Sequence, residues 1–178
     1  MSELEFDRPG LLKEIQDQFV LNWTGTHGFW HWSRVRHHGL TLVERHGGNA
    51  VIVELFAYIH DSHRIDEYED EDHGARGADY AAKLNGKYFK LASDDIRTLC
   101  EAIEFHNHGR THDTEIIQTC WDADRLDLGR VGIVPRAKYL SKNAVTMIES
   151  AQKLFKSRSE TIPIVPETLR SFLRDVRE

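Results

Sequence analysis

Apolar residues recur along the chain mostly at intervals of three and four, while alternating stretches bounded by turn signals are scarce. The pattern predicts an all-α protein. A first helix carries Leu12, Ile15 and Phe19 on one side and stops near Gly25. A second runs from about Gly28 to Arg45, with Val35 and Leu42 on its inner stripe, and the Gly47-Gly48 pair ends it. The third, Asn49 to about His63, is apolar nearly all round through Val51, Ile52, Val53, Leu55, Phe56, Ala57 and Ile59, as in a central helix packed on several sides. Its end opens into the charged run Arg64 to His73, which reads as a solvated loop. A fourth helix starts near Gly74 to Ala78 and ends by Asn85-Gly86. The fifth follows the N-capping group Ser93-Asp94-Asp95, places Ile96, Leu99, Cys100 and Ile103 on one face, and arrives at His106. The sixth begins after Asp113 and aligns Ile117, Cys120 and Asp124. Two further stripes follow: Ala144, Met147, Ile148, Ala151, Leu154 and Phe155, then Leu169, Phe172, Leu173 and Val176. Neither a repeat nor a long linker divides the chain, so one compact helical bundle over residues 1–178 is expected.

Composition narrows the class. With 40% hydrophobic and 29% charged residues, 4 Pro and 12 Gly, the chain is globular rather than disordered or collagen-like. Its 29 acidic and 23 basic residues give a formal charge of −6, the wrong sign for bulk nucleic-acid binding. The longest apolar stretch, Leu55 to Ile59, is far short of a membrane span, the acidic start does not read as a signal peptide, and a cytoplasmic location is expected. Cys100 and Cys120 make no disulfide framework, and both thiols are expected to be reduced. Histidine is the anomaly, with 11 copies, most of them between His27 and His112.

Several polar residues fall on faces that their neighbours mark as buried. His31 precedes Val35 by four, His60 and Asp61 end the most apolar helix, and Asp124 shares the stripe of Ile117 and Cys120. A single buried His or Asp is usually satisfied by hydrogen bonds. Buried charges on three separate segments call for compensation, and buried charges are normally paired or bound to metal. Imidazole with carboxylate suits Zn, Mn, Fe, Ni or Co, and without thiolates it points to an open catalytic site rather than a structural zinc site.

The order His31, then His60-Asp61, then Asp124 resembles the HD-domain metal-dependent phosphohydrolase superfamily. His31-Trp-Ser-Arg-Val is similar to its first motif, Phe56-Ala-Tyr-Ile-His-Asp to its second, and Cys120-Trp-Asp-Ala-Asp-Arg-Leu-Asp to its last. The resemblance covers about residues 26–132, leaving C-terminal helices at about 136–178. It implies His31, His60, Asp61 and Asp124 as metal ligands, with Asp122 and Asp127 as structural partners. Neighbouring residues on a helix point about 100° apart, so His60 and Asp61 approach one ion only near a helix end, which the polar loop supplies. His73 and His106 lie where some branches add ligands to a second ion, with Asp61 bridging, and where single-metal branches touch substrate phosphate. The resemblance thus implies one or two divalent ions, drawn from Mn, Fe, Ni, Co, Zn and Mg.

Arg64 stands where nucleotidase members often have a glutamate and other branches a phosphate-holding lysine. Arg76, in the first turn after His73, is a candidate phosphate ligand, the plainer reading being a surface salt bridge. His27, four residues before His31, is a candidate substrate or water contact. Arg34 reads as a partner for an acid such as Asp127, and the remaining histidines as solvated or packing residues. Trp23, Phe29, Trp30 and Trp32 read as core.

The resulting expectation is a phosphohydrolase that cleaves a small phosphate ester, a nucleotide among the candidates, by way of a metal-activated water, with Asp61, His73, His106 and Arg64 at the reacting group. The rivals are a dinuclear iron oxygenase, which some relatives with extra histidines are, and a non-catalytic nucleotide-binding regulatory module. A homodimer through the C-terminal helices is left open.

Overall fold

In the computed structural model, which describes residues 6–156 and 164–173, eight α-helices and three 3-10 segments account for the regular structure. The order is α1 (Arg8–Gln18), α2 (Phe29–His46), α3 (Ala50–Ile59), α4 (His73–Leu84), α5 (Ser93–Glu104) and α6 (Glu115–Leu126). Then come a 3-10 turn at Asp127–Val131, another at Ala137–Tyr139, α7 (Lys142–Val145), α8 (Ile148–Lys156) and a last 3-10 segment, Glu167–Leu173. No strand occurs among the described residues, and an isolated bridge pairs Asn85 with Phe89.

α3 is the axis. Asn49 caps it by accepting from the N–H groups of Val51 and Ile52. Its residues from Ile52 to Ile59 are all buried, and α2, α5 and α6 pack around it. Glu54 is the polar exception that the apolar run conceals. Wholly buried, it accepts from Arg8 through two nitrogens, 2.9 Å each, and from Arg36 Nε at 2.6 Å, which compensates its charge and ties α1 and α2 to the axis. α2 comes close because Gly39 faces it: a Cβ there would stand 2.3 Å from Val53 Cγ1.

Several boundaries differ from the sequence pattern. α1 ends at Gln18 rather than near Gly25, because the chain turns extended at Phe19 so that Phe19 and Trp23 fold into the core. Ser93 is the first residue of α5 rather than part of its cap; Ala92 caps it without a side-chain bond, and Asp94 and Asp95 sit in the first turn. The stripe from Ala144 to Phe155 is split between α7 and α8 at Thr146–Met147. Leu169, Phe172 and Leu173 lie on a 3-10 segment, while Val176 falls outside the described residues. That segment joins the core through Trp23 Nε1, which donates to the Phe172 carbonyl at 2.7 Å.

α4 and α5 meet at their functional ends through Gly74, where a Cβ would lie 2.5 Å from the carbonyl oxygen of Glu104. This close approach sets His73, at the start of α4, beside His106, two residues past the end of α5.

Candidate metal centre

Four helices deliver imidazole and carboxylate groups to one place. α2 contributes His31, the end of α3 contributes His60 and Asp61, α4 contributes His73, and α6 contributes Asp124, with His106 just beyond α5. α3 stops at Ile59 and hydrogen-bonded turns follow, so His60 and Asp61 stand at the helix end that lets both side chains reach one point.

The first half of the cluster holds His31, His60, Asp61 and Asp124. His31 Nε2 lies 3.1 Å from His60 Nε2, 3.5 Å from Asp61 Oδ2 and 3.4 Å from Asp124 Oδ1. His60 Nε2 is 3.5 Å from Asp61 Oδ2 and 3.8 Å from Asp124 Oδ1. Ligand atoms about 2.1 Å from a shared cation stand about 3.0 Å apart in an octahedron and about 3.4 Å apart in a tetrahedron. The spacing fits a metal ion.

The partners of the other ring nitrogens say the same. His31 Nδ1 lies 2.7 Å from Asp127 Oδ2, and His60 Nδ1 lies 3.1 and 3.2 Å from the carbonyls of Phe56 and Ala57. Acceptors there assign the protons to Nδ1, so each Nε2 presents a lone pair to the other. Facing lone pairs repel unless a positive charge sits between them.

The second half uses the other oxygen of Asp61. His73 Nε2 and His106 Nε2 are 3.0 Å apart, and Asp61 Oδ1 lies 3.3 and 3.6 Å from them. Again Nδ1 is turned outward, to the Asp70 carbonyl from His73 and to the Ile103 carbonyl, at 2.7 Å, from His106. Asp61 Oδ1 is buried without a hydrogen-bond partner among the described residues. Asp61 thus serves both halves, one oxygen to each, and the donor set fits one ion or two.

The electrostatics favour positive charge at the cluster. Burial would raise the Asp61 carboxyl, but the histidines around it hold it well below the usual carboxylate range. Asp124 is likewise lowered against its burial, chiefly by His31 and Arg130. Burial pushes His60 down to about 3 despite Asp61 beside it. For His31, burial and Arg130 oppose a charge, yet Asp124, Asp127 and Asp61 outweigh them and push it up to about 9. A proton on His31 satisfies one nitrogen of this set; a divalent cation satisfies all four atoms at once.

The cluster forms the floor of a cavity of about 430 Å³. Asp61, His73, His106 and Asp124 line it together with Arg64, Arg125, Arg130 and Arg136, and Leu128, Ile133, Val134 and Tyr139 supply apolar wall. Asp124 is less buried than its stripe predicts, because it faces this opening. Arg64 Nη1 stands 3.8 Å from Asp61 Oδ1 and 3.3 Å from His73 Nε2. Arg130 and Arg136, on and just after the 3-10 turn that follows α6, carry no helical periodicity and were not singled out by the sequence pattern; their proximity to the Asp124 motif is the signal that could have found them.

Two expected substrate contacts are not brought here. Arg76 is committed elsewhere: its Nη2 donates to both Asp70 oxygens at 2.6 Å, and Nε and Nη2 donate to the His63 carbonyl at 3.2 and 3.0 Å. The acidic loop folds back on the helix and takes the guanidinium that would otherwise face a phosphate. His27 stands behind His31, ring centroids 6.5 Å apart, with Nδ1 bonded to Glu67 Oε2 at 2.6 Å, and does not line the cavity. Arg34 holds Asp127 by a two-nitrogen fork at 2.6 and 2.9 Å.

No family model matches the chain, and no curated protein does. Among solved structures, it is similar to the crystal structure of a predicted HD superfamily hydrolase from an uncultured Thermotogales bacterium. The two are 19% identical, cover 88% of this chain and 91% of the other, and superpose with a TM-score of 0.65. The chain shares the fold of that structure. Within it the residues at positions 31, 60, 61 and 124 meet in space. No helix among the described residues is long and apolar enough to cross a membrane.

Proposed function

We propose that the chain is a metal-dependent phosphohydrolase acting on a small phosphate ester, with His31, His60, Asp61 and Asp124 holding one divalent cation and His73 and His106 sharing Asp61 with a second. The observation that carries the reading is the combination of a floor of imidazoles and carboxylates spaced for a cation with a wall to which Arg64, Arg130 and Arg136 contribute. Such a wall suits a substrate with several negative oxygens.

A divalent cation bound at this cluster supplies Lewis-acid polarisation of a phosphoryl oxygen and a lowered pKa for water. The residues do the rest. Asp127 and the backbone carbonyls accept from Nδ1 and hold each Nε2 aimed inward. Arg64, close to Asp61 and His73, neutralises charge that accumulates on the phosphoryl oxygens. Arg125 already donates to the carbonyls of Tyr139 and Arg110 at 2.7 and 2.6 Å, so it braces the wall rather than reaching substrate.

Metal analysis of the purified chain, followed by a phosphomonoester and phosphodiester panel with the metal found, tests the reading. Release of phosphate or cleavage of a diester under anaerobic conditions, retained with a redox-inert ion, supports it. Oxygen consumption coupled to turnover would transfer the site to the oxygenase reading, and ligand binding without cleavage of any ester to the regulatory one.

A further inference from the structure

A second cavity, of about 460 Å³, opens on the far side of Arg130 from the metal cluster. Thr24, Gly25 and Thr26 from the turn before α2, Trp30 and Arg34 from α2, Arg130 from the 3-10 turn after α6, and Phe155 from α8 line it. Its charge balance is one-sided, since Arg34 and Arg130 line it and no carboxylate does so among the described residues. Asp127, the nearest acid to Arg34, is already engaged by the Arg34 fork and by His31.

Arg130 is the unusual member. Its side chain is 8% exposed, and its Nε is buried with no hydrogen-bond partner among the described residues. Its Nη1 reaches toward the metal side, 3.8 Å from Asp124 Oδ1 and 3.4 Å from the Asp127 carbonyl. Among the described residues its charge is met by those two long contacts alone, so an oxyanion in the cavity would find an incompletely paired guanidinium. Arg34 adds a second charge whose Nη1 Asp127 does not use, with Phe155 packed over its guanidinium at 5.5 Å. The hydroxyl of Thr26 is a further donor, whereas that of Thr24 already donates to Asn22 Oδ1.

We propose that this cavity is an oxyanion-binding site for a phosphoryl group, joined to the metal cavity through the single guanidinium of Arg130. The group comes either from a substrate that carries two phosphoryl groups, one on each side of Arg130, or from free phosphate. The second source does not depend on the hydrolase reading, and the first deepens it.

Binding of inorganic phosphate and of pyrophosphate to the full chain, as purified and again after chelation, tests the site by calorimetry. Thr26 is exposed at the cavity mouth, so Thr26→Glu sets a negative charge there without disturbing the core, and Thr26→Gln controls for bulk. The expected result is saturable phosphate binding that persists after chelation, weakens at least tenfold in Thr26→Glu and in Arg130→Gln, and survives in Thr26→Gln. A two-phosphoryl substrate makes metal-loaded protein prefer pyrophosphate, a preference lost in Thr26→Glu; free phosphate as the ligand makes both probes weaken equally. Absence of saturable binding after chelation, or equal binding by the Glu and Gln variants, overturns the proposal. Failure of hydrolysis on every ester with phosphate binding intact overturns the hydrolase reading and leaves this site standing.

Discussion

Asp127 Oδ2 lies 2.7 Å from Nδ1 of His31, and this contact decides which nitrogen of the ring faces the cluster. The carboxylate is itself fixed by the Arg34 fork and is held down at about 2, burial notwithstanding, by His31 and Arg34. Asp127→Asn offers His31 an amide that can donate as well as accept, which permits the wrong tautomer. Metal affinity is expected to fall about 10- to 100-fold, read by competition with a chromophoric chelator; unchanged affinity would mean that ring orientation is set elsewhere.

Asp61 is the residue common to both halves of the cluster. Asp61→Ala is expected to lose metal from both and to abolish turnover, while far-UV circular dichroism stays near the parent level because the helices rest on the apolar core. Full activity in that variant would refute the proposed centre. Retention of one equivalent of metal would show that the first half binds without the bridge.

Arg64→Ala should raise KM for phosphorylated substrates about tenfold or more and weaken metal retention far less, since its guanidinium lines the cavity beside Asp61 and His73 and is not itself one of the proposed ligands. A KM equal to the parent's would remove Arg64 from the substrate site. Arg76→Ala, by contrast, should leave KM unaltered.

His38, outside the proposed ligand set, carries a pH dependence of its own. It is fully buried, neither ring nitrogen has a partner among the described residues, and burial pushes it down to about 4 from an ordinary 6.5. As pH falls through 6.5 the unfolded chain takes up a proton that the folded chain refuses until about 4. Stability contributed by the neutral ring is therefore whole above 6.5, declines across that window and is lost below it, by about 3 kcal/mol in total. His38→Leu should remove this increment, seen as urea midpoints that diverge less between the two ends of the window. Parallel curves for parent and variant would show that His38 does not titrate apart from the unfolded chain.

The helices were legible because their inner stripes are dense: His31 follows from Val35 and Leu42, and the end of α3 follows from the change to a charged run after Asp61. Period alone could not show that the Ala144–Phe155 stripe breaks at Thr146–Met147, since a turn there leaves the residues on one side. Glu54 was hidden because its partners, Arg8 and Arg36, come from two other helices. The same limit applies to Arg76, whose partner Asp70 sits on a loop with no period to read, and to Arg130 and Arg136, whose placement follows from the path of the chain after α6.

Gly74 sets a different kind of constraint. The start of α4 rests on the carbonyl of Glu104, main chain against main chain, so no rotamer change can alter the separation of the backbones that carry His73 and His106. Retuning that half for a larger or smaller ion is confined to the reach of two imidazole rings, unless a helix slides along its neighbour. The Asp124 half, whose carboxylate faces open space, can be adjusted by rotating one side chain.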